Sequence, residues 1–323
     1  MELIKETFWS SKPAKIQAIV ILCAIVFMAT IPGFTNSYTP LFIAWTLSYV
    51  ILSMSWNFFS GKTGYISLAS AAFYGLGMYI QAIFGRDIPL AGTMLISAAV
   101  AFAVGFGLGV VTLRLRGIYF TIFTFGLALF LNKFVHWYEG LFTRTKGRMV
   151  KAYDNETVFY AILIVFAVML VLILLMNKSR FGLSLNCIGQ NEDSAQHVGV
   201  NTTRTKVLAF AITAAPVGAV GAVMSTAIGY VDADIAFKLL ASFFPVLMAI
   251  FGGMHHTYGP IVGAVVFYLL QDYLIKTTGY YMIIFGVIMV VIVLLMPKGL
   301  FGIVDTIIAK RRRQFDGEVI GDV

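Results

Sequence analysis

Apolar residues come in long runs along this chain, and short polar segments separate the runs. A helix that crosses the hydrocarbon core of a bilayer needs about 20 mostly apolar residues, and on that criterion the sequence predicts about ten spanning helices. They are residues 16–34, 40–59, 65–84, 88–113, 117–137, 157–176, 207–231, 235–252, 258–275 and 280–296. The third is rich in Gly and Ser and the eighth contains Pro245, so re-entrant or discontinuous helices are alternatives there. The predicted fold class is an all-α polytopic membrane protein.

The longest polar interruption is residues 177–206, which we call the central loop. A short helix is predicted in it, because Asn191 can cap a helix whose first turn holds Glu192 and Asp193, and Gly199 can end it. A second short helical turn with an apolar side is predicted just upstream, from Leu183, Leu185 and Ile188. A loop of this length in a membrane protein usually has structure and a function.

Basic residues predict the orientation of the spans, because Lys and Arg collect in short cytoplasmic loops. If the N-terminus is cytoplasmic, Lys62, the pair Arg114 and Arg116, the central loop and the basic tail all fall on that side. The tail is residues 297–323, and an even number of spans places both termini in the cytoplasm. The exception is the basic loop between the fifth and sixth spans, which this topology puts outside.

The two parts of the chain that flank the central loop have opposite predicted topology. Spans two to five begin outside, spans seven to ten begin inside, and Gly-rich stretches recur in both. Inverted repeats of this kind are typical of transporters, with the pathway between the halves. We therefore interpret residues 1–323 as one membrane domain, with six spans in 1–176, the central loop, and four spans in 207–296.

Composition agrees with a membrane protein and excludes other classes. The chain is 59% hydrophobic and 12% charged, whereas soluble domains have about 25% charged residues. The net charge of +8 does not indicate nucleic-acid binding, because the basic residues flank apolar runs and form no patch. Two cysteines, Cys23 and Cys187, make no disulfide framework. The first apolar run is too long for a signal-peptide core, so we expect it to be retained.

The sequence contains no catalytic constellation, so we do not expect an enzyme. Gly61-Lys62-Thr63 resembles the end of a phosphate-binding loop, but Trp56 stands where the first Gly of that loop is required. The pair His255-His256 lacks carboxylates or cysteines at ligand spacing, so solvated loop residues are the simpler interpretation. We expect no cofactor and no metal in this chain.

Small residues are concentrated in the stretch from Gly64 to Gly77. Helix packing explains such a stretch, because small residues let helix backbones approach closely. The functional alternative is that this span lines a polar route through the membrane, for which the candidate residues are Ser67, Ser70 and Tyr74.

Several islands of sequence, in order, resemble the inner-membrane permease subunits of branched-chain amino acid ABC transporters, the LivM-type family. The first runs from Asn57 to Gly77 and is similar to the family pattern N-x-x-x-G-x-x-G-x-x-S-L-x-x-A-A-F-x-G-x-G. The others are residues 113–120, 179–182, 191–201, 204–210, 252–264 and 297–300. Together they cover nearly all of the chain after the first span.

The resemblance implies a heteromeric importer of a bacterial inner membrane. Its other parts would be a sister permease, two cytoplasmic ATPases that bind the ATP, and an external solute-binding protein. It also implies that the loop at residues 183–204 docks the ATPases. The coupling residues predicted there are Glu192, Asp193, Ala195, Val198, Gly199 and Arg204.

Leucine, isoleucine and valine are the cargo that the resemblance implies. Urea, short amides or other amino acids are alternatives within the same family. A secondary transporter driven by an ion gradient is an alternative from another class, but it would need paired intramembrane carboxylates. Asp272 is the one candidate for such a residue in the sequence.

Overall fold

A computed structural model describes residues 23–300 of the chain, apart from positions 35, 37, 116, 144–145, 255, 278–279 and most positions between 281 and 298. Residues 16–22 of the first predicted span, most of the tenth span, most of the basic tail and His255 therefore lie outside the described residues. Nearly all of the described chain is helical, as the apolar runs predicted.

The helices are numbered here in chain order. They are α1 (Cys23–Phe34), α2 (Tyr38–Trp56), α3 (Ser70–Phe84), α4 (Leu90–Thr112), α5 (Ile118–Tyr138), α6 (Asn155–Asn177), α7 (Arg180–Gln190), α8 (Glu192–His197), α9 (Thr202–Ile228), α10 (Ala233–Ala236), α11 (Leu240–Gly252) and α12 (Gly259–Thr277). Single π-helical turns, Asn57–Gly61 and Glu139–Thr143, continue α2 and α5. Two short strands, β1 (Arg148–Met149) and β2 (Tyr230–Val231), pair antiparallel.

Seven helical segments of the described chain are long and apolar enough to cross a membrane. They are Tyr38–Gly61, Leu90–Thr112, Ile118–Phe142, Asn155–Asn177, Thr202–Ile228, Ala233–Gly252 and Gly259–Thr277. Each coincides with a predicted span. A polytopic membrane protein is thus supported, while the count of about ten spans and the inverted repeat stay predictions.

The third predicted span is discontinuous. Residues 64–69 are not helical, and α3 begins only at Ser70. Its 15 residues rise about 22 Å at about 1.5 Å per residue. That length is less than the hydrocarbon core of a bilayer, about 30 Å thick. We call residues 64–69 the extended segment.

Neighbouring side chains form hydrogen bonds with the backbone N–H and C=O groups of the extended segment. Ser242 on α11 donates its hydroxyl to Leu68 O at 2.7 Å and accepts from Ala71 N at 3.0 Å. Trp56 Nε1 donates to Ser67 O at 2.8 Å, and Leu68 N donates to Thr124 Oγ1 at 3.0 Å. Irregular backbone inside a membrane protein requires such partners, because lipid offers none.

The eighth predicted span is broken as well. It consists of the short α10 and the longer α11, and Pro245 lies inside α11. Proline has no backbone N–H, so the carbonyl four residues earlier in the helix loses its usual donor. Ser53 on α2 donates a hydrogen bond to Pro245 O at 3.3 Å, which ties the two helices together.

Helix α9 forms the centre of the bundle and is the most deeply buried of the seven spans. It crosses α3 at van der Waals distance, because both helices have glycine at the crossing. A Cβ atom on Gly77 would overlap Gly218 O, and one on Gly221 would overlap Tyr74 O. The small residues of α3 thus have a packing role, as the sequence indicated.

Polar contacts between separate loops fall at two opposite ends of the bundle. At one end, which we call the central-loop end, the turns at 61–65 and 254–257 meet the central loop. At the opposite end β1 pairs with β2, and Lys276 Nζ donates to Tyr38 Oη at 2.9 Å. Consecutive spans that run in opposite directions place their connecting loops at alternate ends in this way. Which end faces the cytoplasm stays a prediction.

Candidate coupling site

Polar side chains shape the central loop by capping its helices. Ser179 Oγ accepts from Gly182 N at 3.4 Å and begins α7. Asn191 Oδ1 accepts from Ser194 N at 2.9 Å and begins α8, and Asn201 Oδ1 accepts from Arg204 N at 3.0 Å and begins α9. Each cap satisfies one donor of a helix N-terminus. The short helix that Asn191 was predicted to cap is confirmed.

Gly199 ends α8 as its sequence position predicted. Its φ angle is +88°, a conformation that costs residues with a Cβ atom about 1–2 kcal/mol. Its backbone N–H donates to Gln196 O at 2.9 Å, and the next N–H, of Val200, donates to Ala195 O at 3.0 Å. The left-handed turn thereby satisfies the free carbonyls at the end of the helix.

A buried ion pair joins the two sides of this turn. Lys206 on α9 is 2% exposed, and its Nζ lies 2.6 Å from Glu192 Oε1 on α8. Tyr65 donates its hydroxyl to Glu192 Oε2 at 2.5 Å and accepts from Lys206 Nζ at 3.0 Å. We call Tyr65, Glu192 and Lys206 the buried triad. Removing one partner of such a pair leaves an uncompensated charge and costs about 3–5 kcal/mol.

The buried triad connects three elements that are distant in sequence. Glu192 begins α8, Lys206 lies in the second turn of α9, and Tyr65 belongs to the extended segment. Lys206 Nζ also lies 3.4 Å from Leu113 O, just after α4. The triad therefore links α8 directly to the discontinuous third span and to the central helix of the bundle.

The family of the chain is established by comparison with known proteins. The family model described as "Branched-chain amino acid transport system / permease component" matches residues 38–293. This chain belongs to that family.

Curated relatives agree with the family assignment. The high-affinity branched-chain amino acid transport system permease protein LivM of Salmonella typhimurium is 25% identical, over 84% of this chain and 72% of its own length. The LivH protein of Escherichia coli is 22% identical, over 79% of this chain and 91% of its own length. The autoinducer 2 import system permease protein LsrC of Yersinia enterocolitica is 28% identical, over 61% of this chain and 55% of its own length. No solved structure matches the chain significantly.

Within this permease, the predicted coupling residues do not form one surface. Asp193 and Arg204 are exposed, and Val198 is 84% exposed. Ala195 is only 4% exposed, so Ala195 and Val198 do not share one exposed apolar face. The reason is the tight turn at Gly199, which directs Ala195 toward the protein and leaves Val198 outside.

The side chain of Glu192 is only 15% exposed, because its carboxylate contacts Lys206 and Tyr65. Its part in coupling stays a prediction. Lys206 and Tyr65 are not among the predicted coupling residues. The signal in the sequence is the position of Lys206 at the very start of an apolar run. A lysine there normally extends its charged end to the membrane interface, whereas Lys206 is buried.

Ser67 and Ser70, two of the predicted pathway residues, line one small cavity between α2, α3 and α9. They are 6% and 8% exposed, and the water-accessible volume of the cavity is about 20 Å³. That volume holds about one water molecule, so an amino acid cannot occupy it in this conformation. Tyr74 is half-buried and does not line this cavity. A route along this span stays a prediction.

Asp272 has a local partner. Lys276 Nζ lies 2.6 Å from Asp272 Oδ2 within α12, and the lysine side chain is 56% exposed. A pair one helical turn apart near a helix end is typical of a solvated helix surface. The described geometry thus offers no support for Asp272 as part of an ion-coupling relay.

Proposed function

We propose that this protein is the permease subunit of an ATP-binding cassette importer that carries leucine, isoleucine and valine across a bacterial inner membrane. Both termini lie in the cytoplasm, and separate subunits hydrolyse the ATP. Membership of the branched-chain amino acid permease family is the observation that carries this proposal. The central loop supports it, because its capped helices form a defined surface at one end of the bundle.

The proposed complex contains a sister permease, two ATPases docked on the central loop, and an external solute-binding protein. The similarity to relatives named both LivM and LivH supports a pair of related permeases. Among the central-loop side chains that are exposed and apolar, Leu183 is 64% and Val198 84% exposed. Exposed apolar residues beside the charged Asp193 and Arg204 are suited to a docking surface.

In this proposal the buried triad transmits motion from the ATPases to the membrane. A partner that moves α8 pulls on Lys206 and Tyr65, because breaking their contacts with Glu192 would bury an unpaired charge. The extended segment then moves with α8. Since that segment is the first part of the small-residue stretch, the triad links the docking surface to the predicted route.

Ser70→Trp tests the route. A bulky side chain in the small cavity should slow leucine uptake strongly while the isolated solute-binding protein still binds leucine as before. Gly107→Trp, at an exposed position of α4 with open space around it, is the control for added bulk. Normal uptake by Ser70→Trp at a normal amount of protein in the membrane would contradict this route.

The class of transporter is tested with the reconstituted complex in proteoliposomes. We expect uptake of labelled leucine to require ATP and to persist when ionophores remove all ion gradients. Uptake that requires an ion gradient and does not require ATP would contradict the proposal and would indicate a secondary transporter.

A second cargo is favoured by one observation, the similarity to a protein named an autoinducer 2 import permease. The same vesicles distinguish the two. Excess isoleucine and valine should inhibit leucine uptake, and excess autoinducer 2 should not. Inhibition by autoinducer 2 alone, with no leucine uptake, would reverse the assignment of cargo.

A further inference from the structure

A second and much larger cavity lies at the central-loop end, separate from the small cavity beside Ser67. Its water-accessible volume is about 520 Å³, within the range of about 300–1,000 Å³ that small-molecule sites occupy. Its walls are the π-helical turn Asn57–Gly61, the end of α6, one side of α7, and Met254, His256 and Thr257, which follow α11. None of these residues belongs to the buried triad.

Close backbone packing fixes the shape of this cavity. A Cβ atom on Gly189 of α7 would overlap Lys62 O, and one on Gly61 would overlap Asn57 Oδ1. Asn177 Nδ2 donates to Thr257 Oγ1 at 3.1 Å and joins α6 to the turn at 254–257. The walls are therefore held by contacts among elements that meet only here.

Lys62 supplies a positive charge to the cavity wall. Its Nζ donates a hydrogen bond to Asn177 Oδ1 and lies 5.0 Å from the centroid of the Phe58 ring. Both partners are neutral, and none of the described residues that line the cavity is acidic. Burial lowers the pKa of Lys62, because a desolvated ammonium group without an opposite charge disfavours its charged form. A bound anion would supply that charge.

Amide side chains, together with His256 and Thr257, provide the remaining polar groups. Asn57 is 7% exposed, and its Oδ1 makes no hydrogen bond with any described residue. Asn186 and Gln190 on α7 line the opposite wall. Amide groups both donate and accept hydrogen bonds, so they suit a ligand that carries a carboxylate and an ammonium group together.

The rest of the wall is apolar. Met54, Ile173 and Met254 line the cavity next to the polar groups. Methionine side chains adapt to ligands of varied shape. The cavity thus combines one cation, several amides and a flexible apolar surface.

We propose that this cavity binds a small apolar α-amino acid, with its carboxylate at Lys62, its ammonium group at the amides and its side chain against Met54, Ile173 and Met254. The proposal rests on the proposed function, since the ligand has the chemistry of the proposed cargo, and it adds a second binding site beside the docking surface. A ligand that contacts both α2 and α7 stabilises the described arrangement of α7. Its occupancy is therefore linked to the position of the docking helices.

Equilibrium binding of labelled leucine to the full chain in lipid nanodiscs tests the site. We expect Lys62→Met to weaken binding by about tenfold or more, because the carboxylate loses its partner. Lys178→Met is the matched control, since Lys178 is exposed at the same end and does not line the cavity. It should bind leucine like the wild type. Equal binding by Lys62→Met and the wild type would overturn the proposal.

Analogues identify the groups that are recognised. The amine 3-methylbutylamine lacks the carboxylate and should not compete with leucine, and 4-methylpentanoate lacks the ammonium group and should compete about tenfold less well or worse. Competition by either analogue at the strength of leucine would contradict the assignment. Competition by inorganic phosphate at that strength would show a simple anion site and would also contradict it.

A second variant distinguishes loss of the binding site from misfolding of the chain. Asn186→Trp places a large side chain in the cavity from an exposed position on α7, and it should abolish binding while the size-exclusion profile stays unchanged. ATP-driven leucine uptake by the complex separates the two proposals. If the wild type takes up leucine and both variants bind leucine as the wild type does, this site is refuted. The proposed function is then unaffected.

Discussion

Two contacts between a basic and an acidic side chain lie at opposite ends of the bundle in different surroundings. At the central-loop end, Lys206 and Glu192 lie 2.6 Å apart with side chains 2% and 15% exposed. At the other end, His136 and Asp234 lie 3.2 Å apart with side chains 32% and 73% exposed. Water screens the exposed pair, so its contribution to the stability of the fold is small. Removing one partner of the buried pair leaves an unpaired charge and costs much more stability. The difference indicates that the buried pair contributes more than the exposed pair to holding its elements together.

Breaking the buried pair should have the largest effect. Glu192→Gln leaves the Lys206 ammonium group buried without its counter-charge, which should cost about 3–5 kcal/mol of stability. Thermal unfolding of the purified chain measures it. The double variant Glu192→Leu with Lys206→Met should recover most of the loss, since no charge is left unpaired. Additive losses in the double variant would show that the two side chains act independently.

Removing the hydroxyl that supports the extended segment should have a smaller effect. Ser242→Ala takes away the donor to Leu68 O and the acceptor of Ala71 N. Buried groups without partners cost about 1–3 kcal/mol, so the unfolding temperature should fall. The control is Ser184→Ala, because Ser184 bonds within its own helix near the surface. Equal unfolding temperatures for the two variants would contradict the support role of Ser242.

Changing the exposed apolar surface should alter docking and leave the fold intact. Val198→Glu should lower the affinity for the ATPases by about tenfold, or about 1.4 kcal/mol. Its effect on unfolding should stay within about 0.5 kcal/mol. The readouts are co-purification with the ATPases and binding-protein-stimulated ATP hydrolysis.

The control for docking is Met149→Glu, because Met149 is 67% exposed at the opposite end. If Val198→Glu retains both readouts at wild-type level, α8 is not the docking surface. Ala195→Trp is unsuitable for this purpose, because Ala195 packs inside the chain and a large side chain there would disturb the fold itself.

Disrupting the exposed pair should have the smallest effect. His136→Ala should change stability by less than about 0.5 kcal/mol and leave ATPase co-purification unchanged. A loss as large as that of Glu192→Gln would show that the two ends of the bundle do not differ in the way their ion pairs suggest.

Sequence patterns were sufficient for much of the fold. Apolar runs located the seven spanning segments, because lipid requires about 20 consecutive apolar residues of a helix. Asn191 and Gly199 located α8, because capping and a left-handed turn depend on single residues close in sequence. The breaks in the third and eighth spans were suggested by Gly, Ser and Pro245, although their positions were not.

Tertiary structure alone decided which of the central-loop residues are available to a partner. Glu192, Ala195 and Val198 all lie within one short segment, yet two of them face the protein and one faces outward. Lys206 and Tyr65 are 141 positions apart in the chain, and only the packing of α9 against the extended segment brings them together. The large cavity likewise forms where four distant elements meet. Local sequence determines helices because their bonds are local, whereas burial and charge pairing depend on which distant segments the folded bundle places side by side.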